Sequence, residues 1–227
     1  MRTIRRVTAL ALACLILLGM TACKALPTKA EQFSILVQGN LDEIYRGRAN
    51  AGYLKLTGNT AEDVTANYEN SLEQEATFFC GYYGITNPSD QTRSEIVELY
   101  RKIYTNASYI VGKSKRVDGN TYAVSVEIQP LNIMQTAIDS HHEALAGFYE
   151  KYRDVSKEDL SGWELTAFER DWANAVIEMV RAQLGHITYR DTVTVDVRVL
   201  RTEDGFWQMS SEDLQTVDEL ILYYPAN

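Results

Sequence analysis

Few side chains in this sequence have the types and spacing that chemistry requires. The three cysteines are Cys14, Cys23 and Cys80. No base is identifiable for Cys80, in Phe78-Phe79-Cys80-Gly81, so it reads as a small buried hydrophobe rather than a nucleophile. His141-His142-Glu143 is the one run of metal-ligand types. Adjacent helical residues point about 100° apart, so the two histidines are poorly placed to share an ion. A zincin also needs histidines four apart, and the sequence after Glu143 offers no second one. His141 falls on an apolar stripe and reads as a core or boundary residue. His186 follows a helix end, where a cation suits the dipole. Gly112-Lys113-Ser114 echoes the end of a phosphate loop, but Ala107 stands where the first glycine is needed. No CxxC or GxSxG occurs, and 31 acidic residues make chance carboxylate pairs inevitable. We assign no catalytic residue, no metal ligand and no cofactor. The aromatic residues are more informative: 14 tyrosines exceed six phenylalanines. Tyr82-Tyr83, Trp163, Trp172, Trp207 and Tyr223-Tyr224 suit a cleft that stacks on a sugar or peptide, and equally suit the rim between a sheet and its helices. Tyr82, Tyr83, Trp163 and Trp207 are the candidate ligand-binding residues.

Cys23 belongs to a different pattern. Arg2, Arg5 and Arg6 precede an apolar run from Val7 to Leu18, and Gly19-Met20-Thr21-Ala22 lead into the cysteine. This is the layout of a secretory signal, and it resembles a bacterial lipoprotein signal, with Met20 in place of the usual leucine. The resemblance implies cleavage after Ala22, diacylglycerol on Cys23, and attachment at the extracytoplasmic face of the cell membrane. The 16 positions from Val7 to Ala22 fall short of the about 20 apolar residues that a spanning helix needs. An uncleaved anchor and an ordinary signal with an unmodified Cys23 are the alternatives. Two acyl chains hold a protein stably, at ~0.8 kcal/mol per buried methylene.

Residues 1–22 hold three arginines and no acid, so their removal leaves 205 residues with 19 basic against 31 acidic side chains. A surface that acidic repels nucleic acid and anionic lipid headgroups. With Cys23 modified, Cys80 is alone and the mature chain forms no internal disulfide. Residues 23–30 make a short tether, and residues 31–227, with no low-complexity or proline-rich divider, read as a single domain.

The elements that must position these residues are legible from periodicity. Phe33, Val37, Leu41 and Ile44 recur at helical spacing, with Gly47 and Gly52 bending or ending that helix. Thr60 and Asp63 cap a second helix bearing Val64, Tyr68, Leu72, Ala76 and Phe79. A loop over Pro88 to Thr92 leads to a helix with Ile96, Leu99, Tyr100 and Ile103. Ser108–Val117 and Tyr122–Ile128 form a hairpin about Asp118-Gly119-Asn120, ended by Pro130. Met134, Ile138, Leu145, Phe148 and Tyr152 predict one amphipathic helix. Ser161 and Glu164 predict a reciprocal cap on a helix burying Phe168, Trp172, Val176, Met179 and Leu184. Val193, Val195, Val197 and Val199 alternate as a strand, turning at Glu203-Asp204-Gly205 into Phe206–Ser210, before a last helix capped by Ser210 and Asp213. The fold class is α+β: two hairpins in one antiparallel sheet, packed against amphipathic helices, with Val193–Val199 facing the same layer as Val124, Val126 and Ile128, and Trp172 and Met179 packed on them.

The closing pattern of strand, Asp204-Gly205-Phe206-Trp207-Gln208-Met209 and acidic helix resembles the end of extracytoplasmic lipoprotein domains that are cone-shaped and similar to nuclear transport factor 2, or of unknown function. The resemblance covers roughly residues 90–222. It implies a curved sheet wrapped by helices, often around a pocket, and no particular activity. Together these readings point to a non-enzymatic, membrane-anchored module that binds a small ligand, a cell-wall component or an envelope protein. An envelope hydrolase and a structural accessory subunit are the alternatives.

Overall fold

The computed structural model describes residues 28–225, so the signal segment and Cys23 lie outside the described residues. The chain divides into two compact units. The first takes residues up to Ser71, with Ala107–Pro130 and Arg190–Ile221; the second takes Leu72–Asn106, Leu131–Tyr189 and the residues from Leu222 on.

The first unit begins with α1 (Lys29–Arg46). Thr28 starts it with a full capping box: its hydroxyl accepts from the Glu31 N–H at 3.3 Å, and the Glu31 carboxylate accepts from the Thr28 N–H at 2.7 Å. Phe33, Leu36, Val37, Leu41 and Ile44 form the buried stripe. Gly52 does not end a helix but lies inside α2 (Ala51–Thr57). A Cβ on Gly39 would stand 2.2 Å from the Tyr53 ring, so its absence is what lets α2 lie against the α1 backbone. α3 (Ala61–Tyr82) starts at the expected cap, the Thr60 hydroxyl accepting from the Asp63 N–H at 3.1 Å, and runs on into the second unit.

The sheet belongs wholly to the first unit. It has order β1-β2-β3-β4 with every pair antiparallel, formed by β1 (Ser108–Arg116), β2 (Thr121–Gln129), β3 (Val193–Arg201) and β4 (Trp207–Met209). The two hairpins thus join one sheet as expected. Val197 lies opposite Val124 and Val195 opposite Val126, so the valines share a face, the alternation of a half-buried strand. Val197 and Val199 are fully buried; Val193, where the strand begins, stays open. Within this unit the sheet packs against α1 and against α9 (Ser211–Ile221). Asp196 and Arg198 are exposed on the other face. The register shifts between Val111 and Ser114, a bulge that α1 fills: the Ser34 hydroxyl donates to the Gly112 carbonyl at 3.0 Å and accepts from the Ser114 N–H at 2.9 Å.

The second unit is helical. α4 (Asp90–Tyr104) takes in the last three residues of the stretch read as a loop, because Ser89 caps it by accepting from the Thr92 N–H. The single helix expected from Met134 to Tyr152 is instead three: α5 (Ile133–Asp139), α6 (His141–Ala144) and α7 (Ala146–Lys151). The backbone leaves the helical well at Ser140 (φ −95°, ψ 4°) and Leu145 (φ −97°, ψ 2°). The Ser140 hydroxyl donates to the Ala137 carbonyl at 3.0 Å, a side-chain bond that competes with the helix ladder.

α8 (Gly162–Arg181) lacks the reciprocal cap expected of Ser161 and Glu164. Gly162 has φ 55°, and Ser161 offers its carbonyl, not its hydroxyl, to the Glu164 N–H. The buried stripe of α8 is Ala173, Val176, Ile177, Met179 and Val180; Phe168, Trp172 and Leu184 are only half-buried. The Phe148 ring of α7 lies against both Phe168 and Trp172, each 5.2 Å away.

Candidate functional site

The second unit gathers an aromatic face. Its base is the C-terminal half of α3, where Phe78 and Tyr82 lie one turn apart with ring centroids 6.3 Å apart. Tyr100 comes from α4 and is fully buried. The residues after α9 lie across this base. The Tyr223 N–H donates to the Leu131 carbonyl at 3.2 Å. The Tyr224 ring meets Phe78 edge-on at 4.9 Å and Tyr82 at 4.8 Å, and its hydroxyl bonds that of Tyr100. The Tyr82 hydroxyl donates to the Pro225 carbonyl at 3.1 Å. Edge-to-face ring contacts and one directed hydrogen bond from a phenol thus hold the chain's own Tyr224 and Pro225 on this base.

Tyr83 turns elsewhere. Its ring packs on Phe79 at 4.7 Å and its hydroxyl lies 4.0 Å from Met134 Sδ. Burial pushes its phenol well above the ordinary tyrosine range. Its carbonyl accepts from Trp172 Nε1 at 2.8 Å, which ties the candidate tyrosine to a second aromatic group of Phe148, Tyr152, Phe168 and Trp172. There the Tyr152 hydroxyl donates to Asp171 Oδ2 at 2.8 Å and Lys151 pairs with the same carboxylate.

The four nominated residues therefore have different surroundings. Tyr82 and Tyr83 touch each other, their ring centroids 4.8 Å apart. Trp163, in the first turn of α8, is 78% exposed. Trp207 is a core residue of the first unit, packed on Phe33 at 4.9 Å and Tyr122 at 5.5 Å. His141 Nδ1 lies 2.6 Å from the Ile138 carbonyl. The His141 and His142 rings lie 3.9 Å apart, closer than their sequence adjacency on a helix suggests. Among the described residues, no group of three or more His, Cys, Asp or Glu is placed to hold a metal ion. Cys80 is buried, and desolvation raises its thiol pKa.

Sequence reasoning missed a buried polar constellation in the first unit. Glu43 is 1% exposed; Tyr53 donates its hydroxyl to one carboxylate oxygen, and Asn67 Nδ2 donates to the other at 2.5 Å. Tyr45 donates to the buried Asp218 at 3.0 Å. The visible signal was Glu43 itself, an acid beside Ile44 and one turn after Asn40 on the apolar stripe.

The arrangement of elements is that of a mixed α+β protein with a four-stranded antiparallel sheet. A similar fold occurs in the crystal structure of a "putative lipoprotein (ycdA)" from Bacillus subtilis subsp. subtilis str. 168, which superposes with a TM-score of 0.52 at 14% sequence identity. The similarity covers 85% of this chain and 56% of that one, so this chain spans little more than half the length of that protein. No curated protein matches the chain. A family model matches residues 38–222, most of the sequence: the chain belongs to the DUF5105 family, a domain of unknown function.

Proposed function

We propose that the protein is an extracytoplasmic lipoprotein, anchored through diacylglycerol on Cys23, that works as a non-enzymatic binding module of the cell envelope. The observation that carries the anchoring is the order Arg2-Arg5-Arg6, apolar Val7–Leu18, small residues, Cys23. No described helix is long and apolar enough to cross a membrane, and two acyl chains suffice for attachment. The antiparallel sheet packed against helices supports the likeness to domains similar to nuclear transport factor 2.

The binding surface we propose is the aromatic face around Tyr82. Support comes from the chain's own Tyr224 and Pro225, which lie there on ring edges with a carbonyl held by a phenol. An extended peptide or a sugar offers the same combination of flat faces and acceptors. The test has two parts. Mass spectrometry of the mature N-terminus is expected to find a diacylglycerol thioether on Cys23, and Cys23→Ala is expected to leave the membrane fraction. A wild-type N-terminus carrying a free thiol, or a Cys23→Ala protein that stays with membranes in high salt, refutes attachment by lipid alone. Tyr82→Ala is expected to abolish capture of envelope peptides or glycans by the purified protein without lowering its helix content; unchanged capture moves the surface elsewhere.

A further inference from the structure

Of the two ends of the sheet, one gathers the start of α1 and both hairpin turns. α1 runs antiparallel to β1: the Ser114 hydroxyl donates to the Ala30 carbonyl at the start of the helix, and Arg46 Nη2 donates to the Ala107 carbonyl at its end. The turn at residues 117–120 joins β1 to β2, the Arg201 N–H bonds the Asn120 carbonyl, and the β3–β4 turn follows Arg201 directly. Thr28 is five residues beyond Cys23. An extended chain of that length reaches about 18 Å, so a lipid on Cys23 keeps this end close to the bilayer.

The same end departs from the acidity of the chain, whose net charge is −9. It carries Lys29, Lys113, Lys115, Arg116 and Arg201, all exposed, and Val117 at the hairpin tip is 63% exposed. Its acids are Glu31, Asp118, Glu203 and Asp204. Two of these are already engaged, Glu31 on the Thr28 N–H and Asp118 on the Asn120 N–H at 2.7 Å. An apolar residue at a turn, preceded by cations whose stems are apolar, is a pattern that settles into a headgroup layer.

We infer that the β1–β2 hairpin tip, where Val117 directly follows Lys115 and Arg116 and with Lys113 and Lys29 on the same end, is the membrane-facing edge of the first unit and rests on anionic lipid headgroups. The inference rests on the proposed lipid anchor and adds the orientation that anchor imposes. It also limits the expectation that an acidic chain repels anionic headgroups: repulsion holds for the whole surface, and the contact is made where the local charge is reversed.

The test places a nitroxide on Val117→Cys or on Ile110→Cys. These are exposed apolar positions toward opposite ends of β1, about 23 Å apart at the rise of a strand. Full-length protein purified from membranes is reconstituted in vesicles of phosphatidylcholine with or without phosphatidylglycerol, and collisions with a lipid-borne paramagnet are read. The Val117 probe is expected to show headgroup contact at least about threefold above the Ile110 probe in phosphatidylglycerol vesicles, weakened by high salt. Lys113→Gln/Lys115→Gln/Arg116→Gln in the Val117→Cys background is expected to remove most of that excess, with thermal unfolding unchanged. A lipidated N-terminus with equal contact at both probes, or none at Val117, overturns the orientation alone. An unlipidated N-terminus with no contact at either probe fails the anchor and the orientation together.

Discussion

In the first unit, polar groups are buried deep and held by specific donors: Glu43 is sealed under Tyr53 and Asn67, and Asp218 accepts from Tyr45. In the second, polar atoms sit at the edges of rings, where Tyr82, Tyr152 and Tyr224 keep part of their surface in solvent. The two arrangements respond differently to loss. A buried carboxylate deprived of a donor keeps its desolvation cost. A half-exposed phenol that loses its partner turns to water, and its ring contacts survive.

The largest expected effect tests whether the helical unit depends on aromatic bulk. Phe79 is fully buried, and Phe79→Ala should cost about 3–5 kcal/mol. A cost below that of Val197→Ala in urea unfolding would show that bulk is not what holds this unit. Val197→Ala, in the sheet, should cost about 1.5–3 kcal/mol, while Asp196→Ala on the open face should stay within about 0.5 kcal/mol. The reverse order would put the assigned face of β3 in error. The sharpest comparison is between two hydroxyl deletions. Tyr53→Phe should cost about 1–3 kcal/mol, because it leaves buried Glu43 short of a donor, whereas Tyr82→Phe should cost about 0.5 kcal/mol or less. Equal costs would erase the distinction drawn between the units.

The smallest effect is electrostatic. Burial alone would raise the Asp213 pKa, but hydrogen bonds from the Arg198 side chain and backbone N–H outweigh it and hold the carboxyl below its usual range. A lowered native pKa stabilises the fold above the unfolded carboxylate value, near ~3.9, and that contribution disappears as pH falls through the native value. Arg198→Gln should therefore lie closest to the wild type in acid and furthest from it near neutral pH. An offset that stays constant with pH would assign the role of Arg198 to packing.

What was legible in the sequence followed local rules. The Thr60 cap, the alternation of Val195, Val197 and Val199, and the Asp118-Gly119-Asn120 turn are each decided by a few neighbouring residues, and the structure has them, whereas the Thr28 cap fell inside the stretch read as a tether. The breaks at Ser140 and Leu145 were not legible, because an apolar repeat continues through them while the backbone does not. Of the aromatic face, Tyr82 and Tyr224 stood out as tyrosine pairs. Tyr100 did not, since on α4 it looks like any stripe residue until the chain folds back on it. Glu43 was hidden by the opposite assumption, that an acid on a helix belongs outside. Trp207, nominated for a ligand, instead fills the first unit's core, and no local pattern separates those two uses of an indole.

The strands of the sheet are neighbours in chain order, yet residues 130–192 intervene between β2 and β3. Closing a loop of that length costs roughly 2 kcal/mol more chain entropy than closing the four-residue turn between β1 and β2. The β1–β2 hairpin can therefore form early and alone, while the central β2–β3 pairing waits for most of the chain to emerge. That leaves β2 as a temporary edge for as long as the intervening helices are being delivered. The slow step in maturation should be the arrival of β3, and a chain stalled before Val193 should be the form most prone to aggregate.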